Sequence, residues 1–253
     1  MNGSLYIVLE NFLRWLKGRE YRLDRSIPVS LLVGTLLRRL TWLTRGVAKC
    51  LIFQRRFRLI FIAPEVNLRS ATRIRFGKGV TLERGVIIDG LSHDGVELGD
   101  NVMIGPYSVV RASVLSNVGA GIRMGNGSSV DAYSYIGAGG PITIGENVIM
   151  GQHISFHAEN HNYDRTDIPI KYQGTRRSGI VIEDDCWVGA NTTFLDGAHV
   201  GKGCVIAAGA VVRGEIPPYS VVVGAPARVL RSRLSNETDV AAPHQGAAAG
   251  RAS

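Results

Sequence analysis

A period of six residues constrains this chain more than any other feature. Apolar side chains recur at Ile182, Val188, Phe194, Val200, Ile206 and Val212. Four residues after each of the first five comes a small one: Cys186, Thr192, Ala198, Cys204 and Ala210. A helix repeats near 3.6 residues and a strand every two, so neither gives this spacing. Six residues to a side and three sides to a coil is the repeat of a parallel β-solenoid, with large residues inside and small ones at crowded corners. The same phase is readable at Ile74 and Val80, at Leu98, Ile104 and Val110, and at Ile144, Met150 and Phe156. It breaks near 89–95, 112–121 and 157–179, where loops or insertions are expected. With 31 Gly and 7% aromatic residues, the composition suits a narrow solenoid better than a sandwich or barrel. A coil of eighteen residues stacks Cys186 and Cys204 on one corner, at about the 4.8 Å spacing of adjacent strands. Buried, reduced thiols are expected there rather than a disulfide, as in an intracellular protein.

Charge divides the chain. Residues 1–78 carry 16 Lys and Arg against 4 Asp and Glu, whereas the remainder carries 13 against 17. No acid lies between Asp24 and Glu65, a stretch that includes Arg38, Arg39, Arg45, Lys49, Arg55, Arg56 and Arg58. Its apolar residues follow helical spacing at Val33, Leu36, Leu40, Leu43, Val47 and Cys50, after a helix start at Ser26-Ile27-Pro28 and Ser30. No run approaches the roughly 20 apolar residues of a membrane span, and residues 5–16 lack the flanks of a signal peptide. The result is a basic amphipathic arm over residues 1–66. It suits attachment through residues 31–58 to an anionic membrane surface, and equally a helical cap on the open first coil. The expected location is therefore cytoplasmic, with peripheral attachment at the inner membrane face as an option. Nucleic-acid binding is not expected, because no recognition motif accompanies the charge. Residues 232–253 are small and polar and read as a disordered tail.

The run IEDDCWVGANTTFLDGAHVGKGCVIAAGAVV and the closing EIPPYSVVVGAPARVLR resemble the hexapeptide-repeat acyltransferases. Within them the likeness is to O-acetyltransferases of lipopolysaccharide and other polysaccharides, and to galactoside and maltose acetyltransferases. It covers about residues 74–231. The resemblance implies an all-β fold, a left-handed parallel β-helix over 67–231 behind the α-helical arm. It also implies a homotrimer with sites between neighbouring solenoids, and acetyl-CoA as donor to a saccharide or lipid-linked sugar acceptor.

Chemistry is expected at the largest interruption, FHAENHNYDRTDIPIKYQGTRRSG, since solenoids carry function on excursions from their coils. Transfer to a sugar hydroxyl needs a base, and a neutral imidazole suits that task near pH 7. By resemblance, the Asn-His-Asn-Tyr-Asp motif makes His161 that base. The place of His157 just before it suits orienting His161, touching the acceptor or plain packing. Asp131 matches an acceptor-hydroxyl ligand, although galactoside enzymes have Asn there. Trp187, Ala190, Ala208, Arg228 and Arg231 match donor-site positions, with the arginines on the coenzyme A phosphates, and Arg213 adds a further phosphate contact. His153, His157 and His161 stand at four-residue spacing, a zinc-like pattern on a helix. A six-residue coil scatters them over different faces, so no metal is expected. His199 and His93 are expected to be solvated. An amine acceptor, a non-catalytic scaffold and a carbonic-anhydrase-like zinc enzyme are the competing readings.

Overall fold

Ile182, Val188, Phe194, Val200, Ile206 and Val212 all point inward, none more than 1% exposed, and the five small residues that follow them are buried as well. The computed structural model describes residues 6–11, 14, 22–54, 57–112 and 118–234. These build a three-sided parallel coil. Nine strands stack on the first side, from Phe61–Ile62 to Arg228–Ser232. Seven stack on the second, from Asn67–Arg69 to Val211–Val212, and seven on the third, from Ile74–Phe76 to Glu215–Ile216. Pairing within the three sides is parallel until Ser220–Val223 meets Arg228–Ser232 antiparallel and closes the stack.

The coils are unequal. Along the first side Phe61 lies beside Thr81, Thr81 beside Met103, Met103 beside Ser129 and Ser129 beside Ile149, steps of 20, 22, 26 and 20 residues. Ile149 lies beside Trp187, Trp187 beside Val205 and Val205 beside Val221, steps of 38, 18 and 16. Eighteen is thus the length of one step only. The longest step contains the 157–179 insertion. Interior phase survives because extra residues leave at corners, and inward and outward side chains still alternate along each strand. Cys186 and Cys204 sit on one corner as expected, where the Cys186 thiol donates to Gly201 O at 3.3 Å and the Cys204 thiol to Pro217 O at 3.1 Å. A hydrogen bond to Cys204, then burial, raises the Cys186 pKa far above the usual thiol range.

Among the described residues the arm contains one long helix, α1 (Val29–Gln54). It covers the first coil, but not with the expected stripe. Gly46 faces the solenoid so closely that a Cβ there would stand 2.1 Å from the Ile60 carbonyl oxygen. Cys50 is buried and Trp42 packs against the core. Arg45 donates to Ile62 O at 3.0 Å and Lys49 to Val66 O at 3.1 Å. These cations satisfy carbonyls at the uncovered end of the stack, where no further strand follows. Burial, and then the charge of Arg45, lower the Lys49 pKa. Arg39 lies over the Trp42 ring, 4.8 Å from its centroid. Of the stripe read from sequence, Cys50 alone is buried, whereas Val33 and Leu40 are exposed along with Leu37 and Leu51. The reason is steric: Gly46 and Cys50 admit close approach, and leucines do not. The first strand, Phe61–Ile62, already belongs to the solenoid, ahead of the boundary expected at 67. Arg55, Arg56 and residues 235–253 lie outside the described residues.

Candidate active site

His161 stands on a two-residue strand, Asn160–His161, paired antiparallel with Thr175–Arg176. This hairpin forms the base of the insertion, and Asp196 fastens both limbs. Its Oδ1 accepts the backbone N–H groups of Ser178 at 2.9 Å and Gly179 at 2.8 Å, and its Oδ2 accepts Asn160 Nδ2 at 3.4 Å. Farther out, Gln173 Nε2 donates to Arg165 O and Ile168 O, and Asn162 Nδ2 donates to Gln173 O. The insertion is cross-linked by its own polar groups, which gives His161 a defined position on an excursion from the coil.

Between the hairpin and the second side lies a cleft of about 310 Å³, within the size range of small-molecule sites. Arg111, Tyr135, His157, Glu159, His161 and Arg177 line it. His157 ends the strand Ser155–His157, and its Nε2 lies 2.7 Å from Ser155 Oγ. Its ring centroid is 5.9 Å from that of Tyr135, tilted by 35°. Arg177 closes one wall, donating from Nε to Glu159 at 3.1 Å and from Nη1 to Val118 O at 3.0 Å, with Nη2 also 3.0 Å from the carboxylate. The pair ties the two ends of the insertion together.

The structure brings His157 and His161 into one cleft and places the other expected site residues elsewhere. Asp131 sits at the corner between the first and second sides, where its carboxylate accepts the Ala132 N–H. Trp187 projects from the first side between Ile149 and Val205 and is exposed. Ala190 and Ala208 occupy the same corner as Asp131, one coil apart, packed beside Gly151 and Gly189. Arg228 and Arg231 lie on the closing strand of the first side. Arg213 follows Val211–Val212 on the second side, the side of His157 rather than that of the other two arginines. The three histidines scatter as the coil geometry requires. His153 stacks on Tyr133 at a corner with centroids 5.4 Å apart, His157 ends a strand, and His161 is on the hairpin. Among the described residues, no group of three or more His, Cys, Asp and Glu side chains could hold a metal ion.

One expectation needs correction. His199 is not simply solvated, because its Nε2 lies 2.9 Å from Glu183 and its Nδ1 2.9 Å from Glu215. Neighbouring coils place a carboxylate on either side of the ring, a juxtaposition that hexapeptide phase alone does not display.

A family model described as bacterial transferase hexapeptide (six repeats) matches residues 179–214. A hexapeptide-repeat containing acetyltransferase of Vibrio cholerae, known from a crystal structure, is 32% identical. The match covers 55% of this chain and 74% of that one, with a TM-score of 0.46. The chain belongs to the hexapeptide-repeat acyltransferases. Its solenoid is accordingly the left-handed parallel β-helix of that family. A probable acetyltransferase of Mycobacterium tuberculosis is 36% identical over 156 residues, covering 61% of this chain and 50% of that protein. The chain thus spans about half the length of that relative. A putative lipopolysaccharide biosynthesis O-acetyl transferase of Escherichia coli, WbbJ, is 27% identical over 203 residues, covering 78% and 89%.

Within this hexapeptide-repeat chain, sequence reasoning missed Arg111, Tyr135, Glu159, Arg177 and Asp196. Glu159 and Arg177 had a legible signal, opposite charges at the two ends of one insertion. The others depend on which strands become neighbours.

Proposed function

We propose that the protein transfers an acetyl group from acetyl-CoA to a sugar hydroxyl of a saccharide or lipid-linked glycan precursor in surface-polysaccharide assembly. The observation that carries this reading is the position of His161 on a braced hairpin over a cleft of substrate size. A sugar hydroxyl is a poor nucleophile while it keeps its proton. His161 takes that proton as the oxygen attacks and returns it to the departing thiolate, a contribution of typically 10²–10⁴ in rate. His157, held by Ser155 and Tyr135, faces the same acceptor. Acetyl-CoA supplies the activated thioester carbonyl. The donor residues suit a long, phosphate-bearing thioester. Ala190 and Ala208 keep the corner narrow, and exposed Arg228 and Arg231 offer planar cations for phosphate. These residues and the His161 cleft lie on different sides of the coil, so in our reading they meet across protomers of a homotrimer. Asp131 at the corner then reaches the acceptor from the neighbouring protomer.

Arg228→Ala and Arg231→Ala raise the apparent KM for acetyl-CoA by about tenfold each, the worth of one charge-assisted contact, and leave the acceptor KM unchanged. Thiol release with varied acetyl-CoA measures this, and a change confined to the acceptor KM contradicts the donor path. Hydroxyl sugars tested against amino sugars in the same assay separate O- from N-acetylation.

In the same reading, the outward stripe of α1 attaches the enzyme to an anionic membrane. No described helix is long and apolar enough to cross one, whereas Val33, Leu37, Leu40 and Leu51 form an exposed stripe on a cationic arm. Leu37→Glu with Leu40→Glu abolishes co-sedimentation with phosphatidylserine-containing vesicles and leaves the melting temperature unchanged, because neither leucine supports the first coil. Undiminished sedimentation removes the stripe from membrane binding.

A further inference from the structure

The two faces of α1 set how the solenoid stands on a membrane. The N–H groups of Phe61 and Ala63 donate forward along the coil axis, to Val80 O at 2.8 Å and Leu82 O at 2.9 Å. Ile62 between them faces the opposite way, as alternate residues of a parallel strand do. Its carbonyl is the one that accepts Arg45. Val66 repeats this pattern, accepting Lys49 while the next residue, Asn67, donates forward to Val86 O at 2.9 Å. α1 therefore lies across the axis at the open end of the stack rather than along one of its sides. At 3.6 residues per turn, Val33, Leu37, Leu40 and Leu51 lie roughly 120–180° around the helix from Gly46, which faces the coil. All four are exposed, by 40–58%. The apolar stripe thus points away from the solenoid along the solenoid's own axis.

The cleft stands well above that stripe. Arg69, Asp89, Arg111, Gly137 and His157 follow one another in register on the second side. Four strand spacings from the first coil to His157 make roughly 19 Å. The helix beneath adds about 10–12 Å, and an amphipathic helix sinks about 5–10 Å into the headgroup layer. The His157–His161 end of the cleft is then held on the order of 20–25 Å clear of the surface. A sugar joined directly to its lipid carrier lies in the headgroup layer, far below that height. The surface itself is indicated by charge: no acid lies between Asp24 and Glu65, so the arm suits an anionic leaflet.

We propose that the solenoid stands end-on on an anionic bilayer and that its acceptor is an outer sugar of a lipid-linked glycan, not the sugar next to the lipid. α1 is the foot, and the coils beneath the cleft are a spacer that selects glycans by reach. This specificity rests on the proposed membrane attachment and acetyl transfer. Posture is measured without donor or acceptor, so failure of recognition and failure of transfer are read separately.

Lys78 and Lys202 are exposed on one corner, two residues beyond Phe76 and Val200. Those two residues are separated by five strand steps on the third side, roughly 24 Å. Lys78→Cys and Lys202→Cys each take a fluorophore selectively in the full chain, because the native thiols are buried. On phosphatidylserine-containing vesicles with a short-range headgroup quencher, the label at position 78 loses most of its emission and the label at 202 keeps it. Leu37→Glu with Leu40→Glu abolishes the loss at 78. Equal quenching, stronger quenching at 202, or none at either position overturns the end-on posture. For reach, a hydroxyl sugar that supports thiol release in solution is tethered to the vesicle lipid through ethylene glycol spacers. The short-tethered sugar is acetylated at least about tenfold more slowly than the long-tethered one, because a tether that cannot span the gap gives almost no effective concentration. Dissolving the vesicles in detergent restores it. Equal rates at both lengths on intact vesicles overturn the outer-sugar acceptor, as does a short-tether deficit that persists in detergent. Release with no sugar overturns the acceptor together with acetyl transfer, while the quenching still decides the posture.

Discussion

Replacing His161 by alanine lowers acetyl transfer on the order of 10²–10⁴-fold and leaves acetyl-CoA binding intact. The separation follows from geometry. His161 stands on the hairpin at the cleft, whereas the proposed donor residues occupy the first side and its corner. The fold does not depend on the imidazole, because Asp196 and Gln173 brace the insertion without it. Single-turnover kinetics with calorimetric titration of coenzyme A measures both properties. A variant that keeps more than a third of the wild-type rate removes His161 from the role of base. His157→Ala costs less than His161→Ala, since in the proposed reaction orienting the acceptor contributes less than taking its proton.

Phe194→Ala destabilises the solenoid by about 3–5 kcal/mol, the range for deleting a buried aromatic. Phe194 is fully buried and in register with Phe156, the ring centroids 4.8 Å apart. Part of the loss is the ring–ring contact itself, about 0.5–1.5 kcal/mol beyond area burial. The rest is cavity, because β-strands hydrogen-bonded to both neighbours cannot close over the gap. Denaturant unfolding at matched protein concentration measures it, and a loss below about 1 kcal/mol contradicts the stacking of these coils. The effect reaches function as well. Phe156 immediately precedes His157, so loosening this layer raises the acceptor KM before the chain unfolds.

The interior was legible from the sequence because burial there obeys a local rule. Ile182 to Val212 repeat every six residues, and the same phase held at Leu98, Ile104 and Val110 despite interruptions. That His161 lines the cleft was legible because it lies in the largest interruption of the repeat. The cleft floor was not. Arg111, Gly137 and His157 become neighbours through steps of 26 and 20 residues, set by how much chain each corner extrudes. No fixed period connects them. His199 escaped for the same reason, since its flanking carboxylates, Glu183 and Glu215, come from the coils below and above. In the arm, helical spacing told which residues share a face but not which face meets the solenoid. Gly46 and Cys50 decided that by admitting close approach to Ile60.

The most direct test of a composite site is subunit mixing. In the proposed homotrimer, His161→Ala assemblies and Arg228→Ala, Arg231→Ala double-variant assemblies are dissociated, combined in equal amounts and reassembled, and thiol release is measured with hydroxyl sugars at acetyl-CoA well below the wild-type KM. If His161 of one protomer works with the arginines of its neighbour, about a quarter of the sites in random trimers receive both intact parts. Activity then recovers to about that fraction of wild type. Activity that stays at the level of the separate variants contradicts a site shared between protomers, and absence of release by the wild type with every hydroxyl sugar tested contradicts acetyl transfer itself.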